Sequence, residues 1–355
     1  MIRKSILLID TLLAVLVLLF GVSCTRQELP GGSVTVTLSS GLPETRGAAE
    51  VKDGSEVYID GSGNPDLILL LFDSNGNLKA KYPDNNHSFV VSSTGNDVSI
   101  RLAYDTAGAL IPAGNYTVYA IANTGGLWSL DSGTVADIDT RDKAEARYFS
   151  VPPIVADTPG AQMPLTAKGD VSVNLEGNGS VDLSLRRPVA KVVVRIVNNY
   201  GAALTLVPNG VAPMVKLKSI DPDRGYLFQH SPDYAGTSYA NKEFAFPGSG
   251  EVVLPDNTDL NNPVYELSSL VYPGTGAFSC DIAFKIKKVG SADVDPARAF
   301  SYENLPILNN HGEDITALAR NQRLTITVTI SKGTMLSFSF DVGGWNQTTE
   351  TVTFD

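Results

Sequence analysis

Three histidines, two cysteines and a few paired aspartates are the main reactive groups in this 355-residue chain. His87, His230 and His311 stand beside Asn86, Ser231 and Gly312. None has a partner at metal-ligand spacing, so they read as loop residues and not as ligands. Asp221 with Asp223 and Asp293 with Asp295 could in principle serve as acid and base in glycoside cleavage, but both pairs lie beside prolines, where turn formation is the simpler role. A calcium loop beginning at Asp73 would need a bidentate glutamate at its twelfth position, and Asp84 stands there. No Gly-x-Ser-x-Gly elbow, phosphate-cradling glycine loop or Cys-His constellation is present. The expectation is a chain without metal, cofactor or catalytic activity.

The two cysteines suggest processing and packing instead. Arg3 and Lys4 precede an apolar run over 6–20, and Gly21, Val22 and Ser23 lead to Cys24. That order is a bacterial lipoprotein signal: residues 1–23 are removed and Cys24 is lipidated, its lipid being the only membrane attachment. Cys280 then has no disulfide partner. It alternates with Phe278, Ile282 and Phe284, as a small buried hydrophobe does. Downstream of Cys24, Val34, Val36 and Leu38 alternate with Thr35 and Thr37 as a short strand. Arg46 follows, in the stretch Pro43 to Gly47, Ala48 and Ala49, which is accessible enough for proteolysis. A cut between Arg46 and Gly47 would separate that strand from the rest, which makes 24–46 a propeptide.

The remaining elements have to position these features. Without the 23 signal residues the chain has 332 (355 − 23), more than one hydrophobic core usually holds. Two domains are expected, over 47–185 and 186–355. The net charge of −11, without a basic cluster, argues against nucleic acid and anionic lipid surfaces as partners. Strand signals recur throughout. The apolar run 67–72 leads to Asn75 and Gly76, a pair suited to a tight turn with positive φ at both residues. Residues 140–148 are the one helical candidate. Strands at 171–175 and 181–185 are expected to form a hairpin, and valine-rich 189–197 a central strand. Leu324, Ile326, Val328 and Ile330, then Leu336, Phe338, Phe340 and Val342, alternate strictly, giving a hairpin with one buried face. The polar tail 346–355 carries only Val352 and Phe354 as large apolar residues.

Taken in order, these pieces resemble the fimbrillin superfamily of Bacteroidetes. The matching residues are the 67–72 run with Asp73, Asn75 and Gly76, and Gly114, Asn115, Tyr116 and Thr117 running to Ala122 and Asn123. Arg187, Val189, Ala190, Lys191 and Val192 match at the centre, and Arg320 and Asn321 before the 324–330 strand, with Gly344 and Trp345, near the end.

The resemblance implies an all-β protein of two transthyretin-like Greek-key β-sandwich domains with few short helices. It implies a fimbrial (pilus) subunit at the cell surface whose lipoprotein precursor is anchored in the outer membrane. A processing protease would cut after Arg46, removing the strand of Val34, Val36 and Leu38. Other fimbrial subunits would be the partners, joined by donor-strand exchange through the tail with Val352 and Phe354. Alternatives left open are a lipid-anchored surface binding protein, an uncleaved anchor subunit and, more remotely, a surface glycosidase.

Overall fold

The computed structural model describes residues 33–39, 65–83, 87–94, 97–105, 111–124, 129–130, 135–151, 164–210, 213–228, 238–248, 250–255, 265–291, 298–309, 311–332 and 335–344. Strands dominate, as the period-two patterns require. Among the described residues, eight build the two main sheets of the first half: β1 (Val34–Ser39), β2 (Leu67–Asp73), β3 (Leu78–Tyr82), β4 (His87–Thr94), β5 (Asp97–Asp105), β6 (Gly114–Ala122), β7 (Leu165–Val173) and β8 (Gly179–Ser184). One sheet has the order β8-β1-β5-β4 and the other β3-β2-β6-β7. Val34, Val36, Leu38, Val98, Ile100 and Leu102 from the first meet Leu69, Leu71, Val118 and Ala120 from the second, and this contact is the core of a sandwich.

The second half repeats the architecture. Its strands are β9 (Ala190–Asn199), β10 (Leu204–Pro208), β11 (Val215–Pro222), β12 (Tyr239–Phe244), β13 (Val252–Leu254), β14 (Tyr265–Val271), β15 (Ser279–Lys288), β16 (Ala299–Pro306), β17 (Gln322–Ser331) and β18 (Leu336–Gly344). β9 is central in the sheet β14-β9-β17-β18, as its valines predict, with β17 parallel to it. In the facing sheet β15 pairs with β16 on one flank and with β11 and β10 on the other. Cys280, Ile282, Phe284 and Ile286 point from β15 into this core.

A third cluster joins the halves. The 67–72 run is apolar at every position because both faces of β2 are covered. Leu69 and Leu71 face the first core, while Leu70 and Phe72 join Tyr119, Ile121, Phe149, Phe228 and Tyr272. The helix α1 (Arg141–Ala146), capped by Thr140, adds Ala144. Phe228 meets Tyr119 edge to face at 4.7 Å, and Gly225–Tyr226 pairs with Tyr148 and Phe149 across the junction. Gly225 has to be glycine, since a Cβ there would lie 2.1 Å from Cδ1 of Tyr272. Gly225→Ala should therefore lower stability by about 3 kcal/mol. Urea unfolding checks this, and an unshifted midpoint would mean that the junction yields freely.

Two local expectations are corrected. At the 73–77 loop only Gly76 has positive φ, at +81°. Asn75 is not left-handed, because the Asp73 carboxylate accepts from the N–H groups of Asn75 and Asn77 and closes a loop of five residues, not two. The expected hairpin of 171–175 with 181–185 does not exist, since β7 and β8 lie in opposite sheets. The loop 174–178 turns the chain as tightly as a hairpin would, with Asn174 accepting from Glu176 and Asn178. At its end a Cβ on Gly179 would stand 3.0 Å from the Ser172 carbonyl oxygen, so only glycine lets the chain cross close over β7. β8 then takes β1 as its partner.

Candidate functional site

Among the described residues no group of three or more His, Cys, Asp or Glu side chains is arranged to hold a metal ion. Asp221 is half-buried, accepts from Tyr272 N at 3.2 Å and lies 3.9 Å from Lys242 Nζ. Desolvation raises its pKa from the ordinary carboxylate value. Asp223 instead pairs with Arg224 at 3.4 Å and accepts from Ser238 Oγ at 3.2 Å. The two carboxylates therefore serve different local structures. The thiol of Cys280 is buried, and desolvation first, then the neighbouring Asp281, push its pKa up to about 12, so it stays protonated and unreactive. His311 is exposed in a third five-residue loop, its N–H donating to Asn309 Oδ1. His230, Asp293 and Asp295 lie outside the described residues, as does the side chain of His87.

What the sequence marked as a strand near its beginning is a central element. β1 runs parallel to β8 and antiparallel to β5, in register along all six residues on each side. Val34, Val36 and Leu38 are 0%, 1% and 0% exposed. Burying three such side chains contributes about 6 kcal/mol. Among the described residues β8 has no sheet partner other than β1. Taking β1 away would thus split the sheet and leave two rows of backbone donors and acceptors facing each other across a slot lined by the sandwich core.

Both ends of β1 are fixed to its neighbours. Ser33 N donates to Asn178 Oδ1 at 3.1 Å, Arg101 Nε donates to Ser33 Oγ at 2.8 Å, and Gly179 N donates to the Ser33 carbonyl at 3.1 Å. At the other end Leu185 N donates to the Ser39 carbonyl at 2.9 Å. Ser33, Asn178 and Arg101 were not singled out from the sequence. Their only signal is indirect: Asn178 closes an Asx-x-x-Gly-x loop whose glycine, Gly177, sits at φ +78°.

Of the residues that carried the resemblance, Arg187, Val189, Arg320 and Asn321 meet between the halves. Arg187 is 1% exposed and donates through Nη1 to Asn321 Oδ1 at 3.0 Å, while Asn321 N donates to the Val189 carbonyl at 2.9 Å. Arg320, also buried, donates to Thr166 Oγ1, and Thr166 in turn donates to the Leu227 carbonyl. Gly344 ends β18 opposite Gln322, at this same waist. The hairpin of β17 and β18 differs from the expected single buried face. Thr325 and Thr327 on the other face are buried too, whereas Phe338, Phe340 and Val342 are only half-buried on the outermost strand of the sheet. Cys24, Arg46, Gly47, Trp345, Val352 and Phe354 lie outside the described residues.

No family model matches the chain, and no curated protein matches it by sequence. Among the solved structures that resemble it are three from Bacteroidetes. A proposed cell adhesion protein from Parabacteroides distasonis aligns with a TM-score of 0.55 at 13% identity, covering 90% of this chain and 99% of that one. The tip fimbrial protein Mfa3 of Porphyromonas gingivalis, with a C-terminal truncation, aligns at 0.48 and 13% identity over 89% of this chain and 100% of the other. The fimbrilin of Porphyromonas gingivalis W83 aligns at 0.48 and 12% identity over 89% and 98%. Of the three, the Parabacteroides protein is similar enough to fix the fold, which the chain shares over nearly its whole length.

Proposed function

We propose that this chain is a fimbrial structural subunit of the fimbrillin superfamily, made as a lipoprotein precursor and assembled by donor-strand exchange. The observation that carries the reading is β1, a strand near the start of the chain that fills the middle of a sheet with three buried aliphatic side chains. In this reading Cys24 bears the lipid that anchors the precursor in the outer membrane, and an arginine-directed protease cuts between Arg46 and Gly47. The strand of Val34, Val36 and Leu38 is then the removable one. A neighbouring subunit's tail, with Val352 and Phe354 on one face, takes its place. Insertion satisfies backbone groups and covers core in one step, so assembly completes a fold. The two sandwiches, of transthyretin-like Greek-key type, correspond to 47–185 and 186–355, and neither has an enzymatic role.

Cleavage provides the test. Arg46→Ala should leave a longer, lipid-bearing precursor in the outer membrane and reduce surface fibres at least tenfold. Intact mass of the membrane-extracted protein and electron microscopy of cells measure both. Normal fibres built from uncut chains would refute cleavage-dependent exchange, whereas a wild-type protein that stays uncut and lipid-bearing and forms no fibres would favour an uncleaved anchor or a lipid-anchored binding protein.

A further inference from the structure

Cutting the chain does not empty the slot. We propose that after scission between β1 and β2 the N-terminal fragment remains bound as a separate strand, and that an incoming extended segment displaces it progressively, entering at Ser39 and finishing at a clamp on Ser33. The proposal rests on the strand-donation reading and adds what fills the slot between cleavage and assembly. Its ligand class is an extended segment with aliphatic side chains at alternate positions, and the first such ligand is the chain's own clipped strand.

Among the described residues, β1 is held by its two neighbouring strands and by the contacts at Ser33 and Ser39. Six paired residues on each side and three apolar side chains under 2% exposed remain after a cut. Loss of the fragment would also strand β8, which has no other sheet partner among the described residues. Departure without a replacement therefore exposes two ladders and a core at once, whereas stepwise exchange exposes one residue pair at a time.

The two ends of β1 set the direction. The Ser33 end is held by the Asn178 and Arg101 side chains in addition to the Gly179 N–H. Asn178 is itself anchored, its N–H donating to Asn174 Oδ1 at 2.8 Å. Arg101 lies on β5 and Asn178 just before β8, so the clamp draws on both walls of the slot. At Ser39 the bond beyond the ladder is the backbone contact from Leu185, and among the described residues no side-chain bond adds to it. Scission also makes Ser39 the end nearest the new terminus. Fraying begins there, next to the waist, and the Ser33 clamp releases last.

The experiment uses the full precursor in detergent, cut once by an arginine-specific protease. Native gel filtration with intact-mass detection should find the fragment co-eluting with the subunit and separating only in denaturant. A labelled synthetic peptide spanning residues 30–41 should then exchange into the cut complex. Ser33→Ala and Asn178→Ala, each lacking one clamp bond, should speed exchange roughly fivefold to tenfold, and Ser39→Ala should leave the rate unchanged. Hydrogen exchange on the cut complex should lose protection at Leu38 before Val34. A fragment that leaves on cutting while the subunit stays folded overturns the proposal, as do clamp variants that exchange at the wild-type rate. Fibres grown from a subunit that has already lost its fragment would overturn this inference and leave strand donation standing. A fragment held and exchanged as described, in a protein that never forms fibres, would uphold the clamp and count against strand donation.

Discussion

Deleting residues 346–355 should yield a subunit that folds, stays soluble and melts within a few degrees of the full chain, yet forms no fibres after cleavage. β18 ends at Gly344 opposite Gln322, and the core of the second half is closed from inside by Leu324, Ile326, Val328, Ile330 and Leu336. Residues beyond that strand are therefore expected to contribute little to it. In an extended tail Thr348, Glu350, Val352 and Phe354 share one face. Burying Val352 and Phe354 in a neighbour is worth about 3 to 6 kcal/mol, with ladder hydrogen bonds adding to it. Phe354→Asp should weaken assembly in the same direction. Electron microscopy and thermal unfolding of the cleaved monomer decide the matter. Because Phe338, Phe340 and Val342 are only half-buried, the competing outcome is a tail folded back over its own sheet. Outright unfolding of the truncated monomer would establish that outcome and remove the donor role.

Val36→Asp should have the opposite signature, a subunit that does not reach its folded state at all. Val36 is 1% exposed, opposite Ile100 on one side and Val181 on the other. An aspartate there has no partner for its charge and removes the central strand's apolar contact, costing about 4 kcal/mol or more. Against the marginal stability of most domains, that is enough to unfold the first half. The expected result is insoluble protein or a non-cooperative melt by circular dichroism. A cooperative melt at the wild-type temperature would mean that β1 is dispensable before cleavage, and the exchange scheme would lose its starting state.

The strands were legible wherever burial was one-sided or complete. The valines of 189–197 state their environment directly and the alternation over 324–330 marks its strand, although its threonine face is buried as well; β17 and β9 occupy the predicted places. The waist was not legible, because Tyr119, Phe149, Phe228 and Tyr272 come from separate segments and none carries a periodic signal. The missed crossing at 174–178 has a physical cause. Asp73, Asn174 and Asn309 close the same five-residue loop, with glycine at the fourth position each time. That local chemistry turns the chain without saying to which sheet it returns. In β2 and β3 the second strand pairs with the first, whereas after Asn174 it joins the opposite layer. The Ser33 clamp was hidden for a similar reason, since Ser, Asn and Arg are ordinary surface residues and the partners lie 145 and 68 positions away.

If the proposed strand donation holds, the parallel pair β9 and β17 has a mechanical consequence for the fibre. Tension arriving through a donated tail enters at Gly344 and passes from β18 to β17 across nine paired residues, then to β9 across nine more. From β9 it reaches β8 through the short covalent link 185–189. β8 is a wall of the slot in which the next subunit's strand is held. Gly344, Gln322 and Lys191 lie at the same end of these ladders, beside the waist, so under the proposed assembly the load bears first on the rungs at that end and bypasses the far end of the second half.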